Sequence, residues 1–370
     1  MRNLAKSVSI FYLFAILAGC ATQAQPPRNI IILIGDGMGP EQVKAASLYA
    51  TGREDGFEFQ KFYRGELTTS SSGGETTDSA AAGTALGTGH KTTNTTVGQS
   101  PDGKIYPNYV EVMQKRGKAT GLVTTVLVTD ATPAGFGAHA RNRGDFDDIA
   151  HDYLNDSRPN LILGPVNGGN RGLNDKNAQA AGYTLVQDRA GLQQFLVGLG
   201  IKSTLDVSGK IHVTGQFGTG DMQYEYDAVQ PEATNSFEKM PHLTEMAAAA
   251  IQVLSRDRDG FFLMVEGGAI DHAGHNNKIE RNIFETVEFA KTADAAIAWA
   301  RQHPGTVVVV TADHETGGLK VVKDNGKDAF PGVKWSTGGH TKTNVPLYIY
   351  GLDGIGGTLD NTDLFWILTK

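Results

Sequence analysis

Several apolar runs in the chain end directly in acidic or histidine residues, and this feature restricts the folds that the sequence can adopt. The runs are unbroken rather than alternating, a pattern typical of strands buried on both faces. They cover residues 29–35, 119–129, 161–164, 261–265, 306–311 and 345–350. Helical patterns lie between them at 241–256, which begins with Pro241, and at 280–302. This alternation predicts an α/β fold with a largely parallel central sheet.

The polar residues that follow these runs are expected to meet at one edge of the sheet. In open α/β sheets, ligands bind outside the carboxyl ends of the strands. One aspartate after a strand is unremarkable, because turns favour that residue. Here four separate runs are followed in this way, by Asp36, by Asp130 with Thr132, by Glu266, and by Asp313 with His314. The four clusters together predict a functional site.

The composition limits how such a site can work. Lysine and arginine number 33 against 40 acidic residues, a net charge of −7, so the chain as a whole does not attract nucleic acid. An anionic ligand would need local positive charge or bound metal. The single cysteine excludes an intramolecular disulfide and a thiolate metal cluster, which leaves histidine, carboxylate and hydroxyl groups as metal ligands.

The most concentrated cluster runs from Glu266 to His275 and contains two carboxylates and two imidazoles in ten residues. Asp271 and His275 are four residues apart and share one face if a helical turn forms there. Carboxylate and imidazole together suit zinc. The alternative is a solvated loop with incidental histidines.

Two further histidine positions, taken alone, are weaker indications of a metal site. Asp313 and His314 are adjacent, so both can bind one ion only if the backbone bends after the strand. An Asp-His pair at a strand end also fits a purely structural role. His340, in the STGGH segment, matters because the other clusters need one more nitrogen ligand.

Ser79 opens an alanine-rich helical stretch. The N-terminus of a helix offers free N–H groups and a positive dipole end, which suit a phosphate group. The ordinary alternative is that Ser79 is only the N-cap of this helix. The chain has no G-x-S-x-G motif, which argues against a serine esterase triad.

Oxygen ligands and an arginine lie after the longest apolar run. Thr132 and a carboxylate suit a hard cation such as magnesium. Arg143 can bind a phosphate with two hydrogen bonds. A surface salt bridge is the usual role of an isolated arginine, and the nearby Arg141 is the internal comparison for that role.

The N-terminus reads as an export signal. Arg2 and Lys6 precede an apolar stretch at 10–17 that is too short to span a bilayer. The stretch ends in Leu-Ala-Gly-Cys20, which resembles a bacterial lipobox, whose cysteine is acylated. We therefore expect a signal peptide at 1–19, a tether at 20–28, and a periplasmic protein held to the outer membrane only by a lipid on Cys20. Cleavage after Ala24, which would release a soluble protein, is the alternative.

Taken together, six motifs resemble those of the alkaline phosphatase family in order and approximate spacing. They are IGDGMG, TTDSAAAGTA, DATPAGFGAHARNR, VEGGAIDHAGH, TADHETGG and STGGH. The resemblance covers about residues 28–350. It implies a three-layer αβα fold, a single catalytic domain at 29–370, and hydrolysis of phosphate monoesters through a phosphoserine.

The resemblance also implies a role for each site residue. Ser79 would be the nucleophile and Arg143 the phosphate clamp. One zinc ion would bind Asp271, His275 and His340, and a second would bind Asp36, Asp313 and His314. One magnesium ion would bind Asp36, Thr132 and Glu266, with Asp130 reaching it through water. His272 would touch phosphate or magnesium through water.

The chain departs from larger family members between His314 and His340, where only 25 residues intervene. Larger members insert a dimer-associated crown there, so a compact form with little or no crown is expected. This leaves both a monomer and a homodimer open.

Other functions remain as alternatives. A phosphodiesterase or sulfatase relative would share the fold, but the Cys-x-Pro-x-Arg site of sulfatases is absent and nucleotide diesterases usually present threonine as nucleophile. A non-catalytic phosphate- or metal-binding lipoprotein would not need Ser79. The remaining histidines show no partner cluster in the sequence and are expected to be structural or superficial: His90, His139, His151, His212, His242 and His303.

Overall fold

The computed structural model describes residues 26–201, 211–231 and 234–370. The expected signal peptide, Cys20 and the tether up to residue 25 lie outside the described residues. Within these ranges no helix combines the length and the apolar character that crossing a bilayer requires.

Strands alternate with one or two helices along much of the described chain, whereas the strands between residues 306 and 360 follow one another without an intervening helix. The strands are β1 (Asn29–Gly35), β2 (Tyr63–Thr68), β3 (Ala119–Thr124), β4 (Leu161–Val166), β5 (Thr184–Val186), β6 (Val213–Thr219), β7 (Phe261–Gly267), β8 (Thr306–Thr311), β9 (Glu315–Thr316), β10 (Lys320–Lys323), β11 (Gly332–Lys334), β12 (His340–Thr341), β13 (Val345–Tyr350) and β14 (Gly357–Asp360). The helices are α1 (Pro40–Thr51), α2 (Ser79–Thr88), α3 (Tyr109–Gln114), α4 (Ala131–Gly137), α5 (Phe146–His151), α6 (Asp175–Ala180), α7 (Arg189–Ile201), α8 (Glu225–Ala228), α9 (Leu243–Leu254), α10 (Ala269–His275), α11 (Ile279–Arg301) and α12 (Asp363–Leu368).

Ten strands form one sheet in the order β14-β2-β13-β8-β1-β7-β3-β4-β6-β5. β13 runs antiparallel to β2 and β8, whereas the other paired neighbours in the sheet are parallel. β1 lies near the centre, where Ile32 is opposite Met264 on one side and Val309 on the other. All seven residues of β1 are buried, as an unbroken apolar run predicts.

Helices cover both faces of the sheet. Gly121 and Leu122 are adjacent in β3, so their side-chain positions point to opposite faces. A Cβ atom on Gly121 would lie 2.7 Å from Leu254 of α9, whereas Leu122 packs against Gly137 of α4. The predicted α/β fold, with helical layers on either side of a mostly parallel sheet, is confirmed.

Most of the predicted elements are present with small shifts. β1, β8 and β13 have the predicted bounds, and β4 and β7 extend two residues further. β3 ends at Thr124 rather than at residue 129, because the chain turns there toward α4. α9 begins at Leu243 with His242 as its N-cap, so Pro241 lies just before the helix rather than in it. The predicted helix at 280–302 is α11, which is buried at Ile283, Ala290, Ile297 and Ala300 and half-buried at Val287.

The region between His314 and His340 is small. It contains β9, β10 and β11, and β9 pairs antiparallel with β12, which places His340 opposite Thr316. The compact form expected from the sequence, with little or no crown, is therefore observed.

Candidate active site

The register of the central strands brings the predicted clusters to one edge. Ile34, near the end of β1, is opposite Glu266 of β7 and Thr311 of β8. Asp36 and Asp313 each follow two residues beyond this row. Parallel strands in this register deliver the residues after their carboxyl ends to the same place.

The first group consists of Asp36, Asp313 and His314, all buried. His314 Nε2 lies 3.1 Å from Asp313 Oδ2 and 3.5 Å from Asp36 Oδ1. The backbone bends after β8, as binding of one ion by adjacent residues requires. Asp313 Oδ1 stabilises the bend by accepting hydrogen bonds from the N–H of Gly37 (3.2 Å) and of His314 (2.9 Å).

The second group consists of Asp271, His275 and His340. A helical turn does form at α10, so Asp271 and His275 share a face and Asp271 Oδ2 lies 3.2 Å from His275 Nε2. His340 Nε2 lies 3.1 Å from His275 Nε2 and 3.6 Å from Asp271 Oδ1. The ring of His340 stacks on that of His314 at 3.6 Å between centroids, so the two groups are immediate neighbours.

The histidines of the second group are oriented by backbone carbonyls. Nδ1 of His275 is 2.7 Å from the carbonyl oxygen of Gly338, and Nδ1 of His340 is 2.8 Å from that of Thr77. A hydrogen bond at Nδ1 leaves Nε2 as the free nitrogen, which here faces the group. Metal-binding histidines are commonly held in this way.

The third group contains oxygen ligands. Thr132 Oγ1 lies 3.4 Å from Asp36 Oδ2, within a buried pair. Glu266 is fully buried and accepts a short hydrogen bond from Thr124. Asp130 is the N-cap of α4 and lies at the margin of this group, where it binds Arg143.

Ser79 lies beside the first group. It is 3% exposed, and its Oγ is 3.2 Å from Nε2 of His314. The alternative that Ser79 merely caps its helix is wrong: Asp78 is the N-cap of α2 and accepts from the N–H of Ala81 at 2.9 Å. The Ser79 hydroxyl is therefore free to face the cluster.

Arg143 is held between two carboxylates near Ser79. Its guanidinium lies 2.9 Å from Asp130 and 3.4 Å from Asp78. Burial opposes its charge, but Asp130 and Asp78 raise the pKa of Arg143 overall, so it stays cationic. Arg143 does form the salt bridges expected of a surface arginine, but its partners adjoin Ser79 and the oxygen group and hold the side chain beside the site. The neighbouring Arg141 is exposed.

His272 follows the cluster and has a partner of its own. Its Nδ1 lies 3.3 Å from Asp221 Oδ2, in the loop after β6. The hydrogen bond with Asp221 outweighs burial and raises the pKa of His272 to about 9. In the metal-free chain His272 is thus a cation at neutral pH.

In two carboxylates of the site, Asp36 and Glu266, burial disfavours the charged form and raises the pKa. Burial raises the pKa of Glu266 to about 8, and burial together with Asp313 raises the pKa of Asp36 well above its usual value. Among the described residues, Glu266 Oε1 is a buried carboxylate oxygen without a hydrogen-bond partner, and Asp36 Oδ1 and Asp313 Oδ2 have only Nε2 of His314 nearby. Buried acceptors without donors are costly, and divalent cations remove that cost. The two imidazole-containing groups suit zinc, and the oxygen group suits magnesium.

Sequence analysis did not identify several residues that support the site. Thr316 donates a short hydrogen bond to Asp271 Oδ1, Asp78 and Thr124 support Arg143 and Glu266, and Asp221 pairs with His272. Asp78 and Thr316 could have been found, because each lies within one of the motifs named above. Asp221 carried none, since only the fold brings it close.

The prediction that the remaining histidines have no partner cluster is wrong for three of them. His242 Nδ1 lies 2.7 Å from Glu225 Oε1, His139 contacts Asp152, and His151 Nδ1 lies 3.5 Å from Asp156 Oδ2. These contacts lie apart from the candidate site, because none of them involves a residue of the three groups.

Comparison with known proteins gives a consistent result. The sequence matches the alkaline phosphatase family over residues 27–352. It is 29% identical to alkaline phosphatase 3 of Bacillus subtilis, over 91% of this chain and 87% of that protein, and 30% identical to alkaline phosphatase of Escherichia coli, over 93% and 86%. The alkaline phosphatase of the Antarctic bacterium TAB5 has a similar structure, with a TM-score of 0.77 at 28% identity over 93% of this chain and 97% of that one.

Proposed function

The chain belongs to the alkaline phosphatase family, and from this premise we propose that it hydrolyses phosphate monoesters through a phosphoserine at Ser79. The proposal depends on the Ser79 hydroxyl. Because Asp78 is the N-cap of α2, this hydroxyl does not cap the helix, and its oxygen lies 3.2 Å from Nε2 of His314. A protein that only binds phosphate or metal has no need of such a nucleophile.

The proposed metal content is two zinc ions and one magnesium ion. Asp36, Asp313 and His314 would hold one zinc ion, and Asp271, His275 and His340 the other. Asp36, Thr132 and Glu266 would hold magnesium, and a variant of the TAB5 enzyme has been solved with magnesium bound in its M3 site. Such ions supply positive charge that favours an ionised serine, a charged leaving oxygen and a hydroxide at neutral pH.

The reaction has two displacement steps at phosphorus. In the first, the Ser79 oxygen forms a bond to phosphorus while the bond to the ester oxygen breaks and the alcohol leaves. In the second, a water oxygen forms the new bond, the Ser79–phosphorus bond breaks, and inorganic phosphate leaves. Because each step attacks from the side opposite the leaving group, the two inversions give net retention.

Charge neutralisation is the main task of the site. A monoester dianion repels nucleophiles, so catalysis depends on positioning and on opposite charge. Arg143 can present two N–H groups to the phosphate oxygens, and Asp130 and Asp78 keep its guanidinium in place. In an acidic protein, this arrangement makes a cationic pocket without a basic surface around it.

The decisive experiment combines trapping with a substrate comparison. The intact chain, quenched in acid during turnover of an aryl phosphate, should carry phosphate on Ser79 by mass spectrometry. Ser79→Ala should lose nearly all turnover while its metal content is unchanged, and Ser255→Ala, at the end of α9, should behave as the parent. Faster turnover of a phosphodiester or a sulfate ester than of the monoester would favour those relatives instead. If the parent showed no turnover, and Ser79→Ala bound phosphate and metal as the parent does, the protein would be non-catalytic.

We also propose export and lipid attachment at Cys20, which would make this a periplasmic enzyme anchored in the outer membrane. The support is the sequence of residues 1–20. Cys20→Ser should move the enzyme from the membrane fraction to the soluble fraction of cells, and an unchanged distribution would contradict the anchor.

A further inference from the structure

The edge of the sheet opposite the site carries a group of basic residues. We define the basic edge as Arg28, Arg116, Lys118, Arg158, Arg256 and Arg258. The strand register places them together: Ile30 of β1 is opposite Phe262 of β7, Ala119 of β3 is opposite Phe261, and Gly121 is opposite Leu161 of β4. Each basic residue lies one to five positions before the amino end of one of these four strands.

Direct contacts join several members of the basic edge. Lys118 Nζ donates to the carbonyl oxygen of Arg28 at 2.6 Å, and Arg28 Nη2 donates to that of Arg258 at 3.2 Å. Burial and the charge of Arg116 lower the pKa of Lys118. Cations are therefore close enough here to act on one another.

These cations are not neutralised by ion pairs with carboxylates in the part of the chain described. Their hydrogen-bond acceptors are backbone carbonyls, for example that of Leu199 for Arg256 and that of Leu154 for Arg158. Cations near the neighbouring strands β8 and β2 are paired instead, as Arg301 is with Glu58 at 2.6 Å and Arg64 with Asp353 at 2.9 Å. Six cations without a carboxylate ion-pair partner among the described residues thus lie together under β1, β7, β3 and β4.

Acidic residues at the same place do not cancel this charge. Asp156, Asp257 and Asp259 lie in the same turns, and Asp257 is buried. The six cations outnumber these three carboxylates in a chain whose net charge is −7. The basic edge is therefore a local reversal of the overall charge.

The N-terminal segment joins the fold at this edge. Arg28 directly precedes β1, and its N–H donates to the carbonyl oxygen of Gly305, just before β8. From Cys20 to Arg28 there are eight peptide steps, which span at most about 29 Å. A lipid on Cys20 would hold the basic edge within that distance of the bilayer surface.

We propose that the basic edge docks on an anionic lipid bilayer and orients the active site away from it. This inference rests on the proposed lipid anchor, not on the proposed reaction. β1 has seven residues, so its two ends are roughly 20 Å apart, and the site lies beyond the far end. Substrate would then enter from the aqueous side while the opposite edge rests on the headgroups.

An exposed tryptophan near the basic edge fits the same partner. Trp366 of α12 is 42% exposed, and three residues later the carbonyl oxygen of Thr369 accepts a hydrogen bond from Arg116. Tryptophan is enriched at the membrane interface. Here Nε1 of Trp366 donates to the carbonyl oxygen of Gly89 at 3.0 Å, so the exposed apolar ring is the part that would meet lipid. A nucleic acid would use the cations equally well, but it would not account for the entry of the tether at this edge.

The test measures binding of the mature chain, residues 20–370 with Cys20→Ser so that no acyl chain contributes, to vesicles. Vesicles of phosphatidylcholine with phosphatidylglycerol, and of phosphatidylcholine alone, are sedimented with the protein. The edge variant combines Arg28→Gln, Arg116→Gln and Arg258→Gln, three exposed positions. The control variant combines Lys320→Gln, Lys323→Gln and Lys334→Gln, which are exposed on β10 and β11 and remove the same charge.

We expect the parent to bind only the anionic vesicles, and less as salt rises from about 0.1 M to about 1 M, where the screening length falls to about 3 Å. Each basic residue close to an anionic surface contributes about fivefold to binding. The edge variant should therefore lose between about tenfold and about a hundredfold, and the control variant should keep most of its binding.

Three outcomes would overturn the proposal: equal losses in the two variants, no preference of the parent for anionic vesicles, or binding of the parent to duplex DNA but not to vesicles. Turnover of a soluble aryl phosphate is measured on all three proteins and should be equal. A protein without turnover that still shows the vesicle pattern would refute the proposed reaction and leave the docking surface intact.

Discussion

Arg143 shows how single side chains are prepared in this site. Its guanidinium is already held by Asp130 and Asp78, so the proposed binding of phosphate would cost little conformational freedom. The sequence alone could not separate this role from that of a surface arginine, because the two carboxylates belong to different segments.

Arg143→Ala should weaken inhibition by inorganic phosphate by roughly tenfold to a hundredfold, since charge-assisted hydrogen bonds contribute about 1.5–3 kcal/mol. The measurement is the inhibition constant for phosphate. Arg141→Ala is the matched control, because Arg141 is exposed two residues away, and it should change nothing. An unaltered inhibition constant in Arg143→Ala would refute the clamp.

His340→Ala should remove one of the two expected zinc ions, because a three-ligand group would keep only Asp271 and His275. Metal content per chain, measured by mass spectrometry of the intact protein, checks this. The control is His303→Ala, whose ring is exposed and stacks on Trp299 outside the site. Equal metal content in the two variants would contradict the ligand assignment.

At the scale of elements, the packing of α2 against α4 sets the distance between Ser79 and the oxygen group. Three glycines make this contact close: a Cβ atom on Gly87 would lie 2.2 Å from the carbonyl oxygen of Gly135, and one on Gly135 would lie 2.4 Å from the backbone of Gly83. α2 begins at Ser79 and α4 contains Thr132. A change in the distance between the two helices therefore moves these two site residues relative to each other.

Gly135→Ala should force the two helices apart, lower the free energy of unfolding by about 1–3 kcal/mol, and reduce turnover. Urea denaturation and activity measurements check both effects. Gly198→Ala in α7 is the control, since nothing lies within 4 Å of an added Cβ atom and alanine favours a helix. Gly135→Ala with parental stability and turnover would show that the helices can move without consequence.

The sequence predicted the central elements better than the outer ones, for a physical reason. β1, β7 and β8 are buried on both faces, so their composition alone marks them. β2 and β14 are at one edge of the sheet, where burial is partial and the pattern is mixed, and neither was predicted. The short β5 has the same difficulty at the opposite edge.

At the scale of the whole molecule, metal binding and folding should be linked through the buried carboxylates. The ordinary pKa of a glutamate is 4.5, whereas burial raises the pKa of Glu266 to about 8 in the folded, metal-free chain. Between these pH values the folded chain keeps a proton that the unfolded chain releases. The unfolding free energy of the metal-free chain therefore falls as pH rises from about 4.5 to about 8.

Glu266→Gln should abolish this fall of the unfolding free energy with rising pH. In the absence of metals, the variant should be more stable than the parent at pH 8 by an amount on the order of a few kcal/mol, and the difference should shrink toward pH 5. Denaturation over this pH range is the measurement. With magnesium and zinc present, the parent should regain its stability and the variant should gain less.

Glu285→Gln supplies the control, because burial also raises the pKa of Glu285 to about 8 but this residue lies in α11, away from the three groups. Its effect on stability should be the same with and without metals. If Glu266→Gln showed the same insensitivity to metals, Glu266 would not be part of a metal site.

Much of the candidate site was predictable because each proposed metal ligand follows a strand or lies in a short motif. Asp36, Glu266 and Asp313 were found in this way, and the register of the sheet brings them together as expected. Asp221 shows the limit: it pairs with His272 across 51 positions of sequence, and no local pattern marks a partner that only the tertiary fold supplies.

The pairing of β9 with β12 has a consequence for how such an enzyme can change its size. His340 lies opposite Thr316, so the 25 residues after His314 leave and return at the same point, and Glu315, at the first end, accepts a hydrogen bond from Thr341 at the other. Lengthening a loop whose ends are already joined costs little, about 0.6 kcal/mol for each doubling. A flexible stretch added between Asn325 and Gly326, at the exposed tip, should leave turnover and metal content intact, and loss of either would disprove it. The segment 315–339 is thus a place where evolution or a protein engineer can insert a new lid or a partner-binding module without moving a proposed metal ligand.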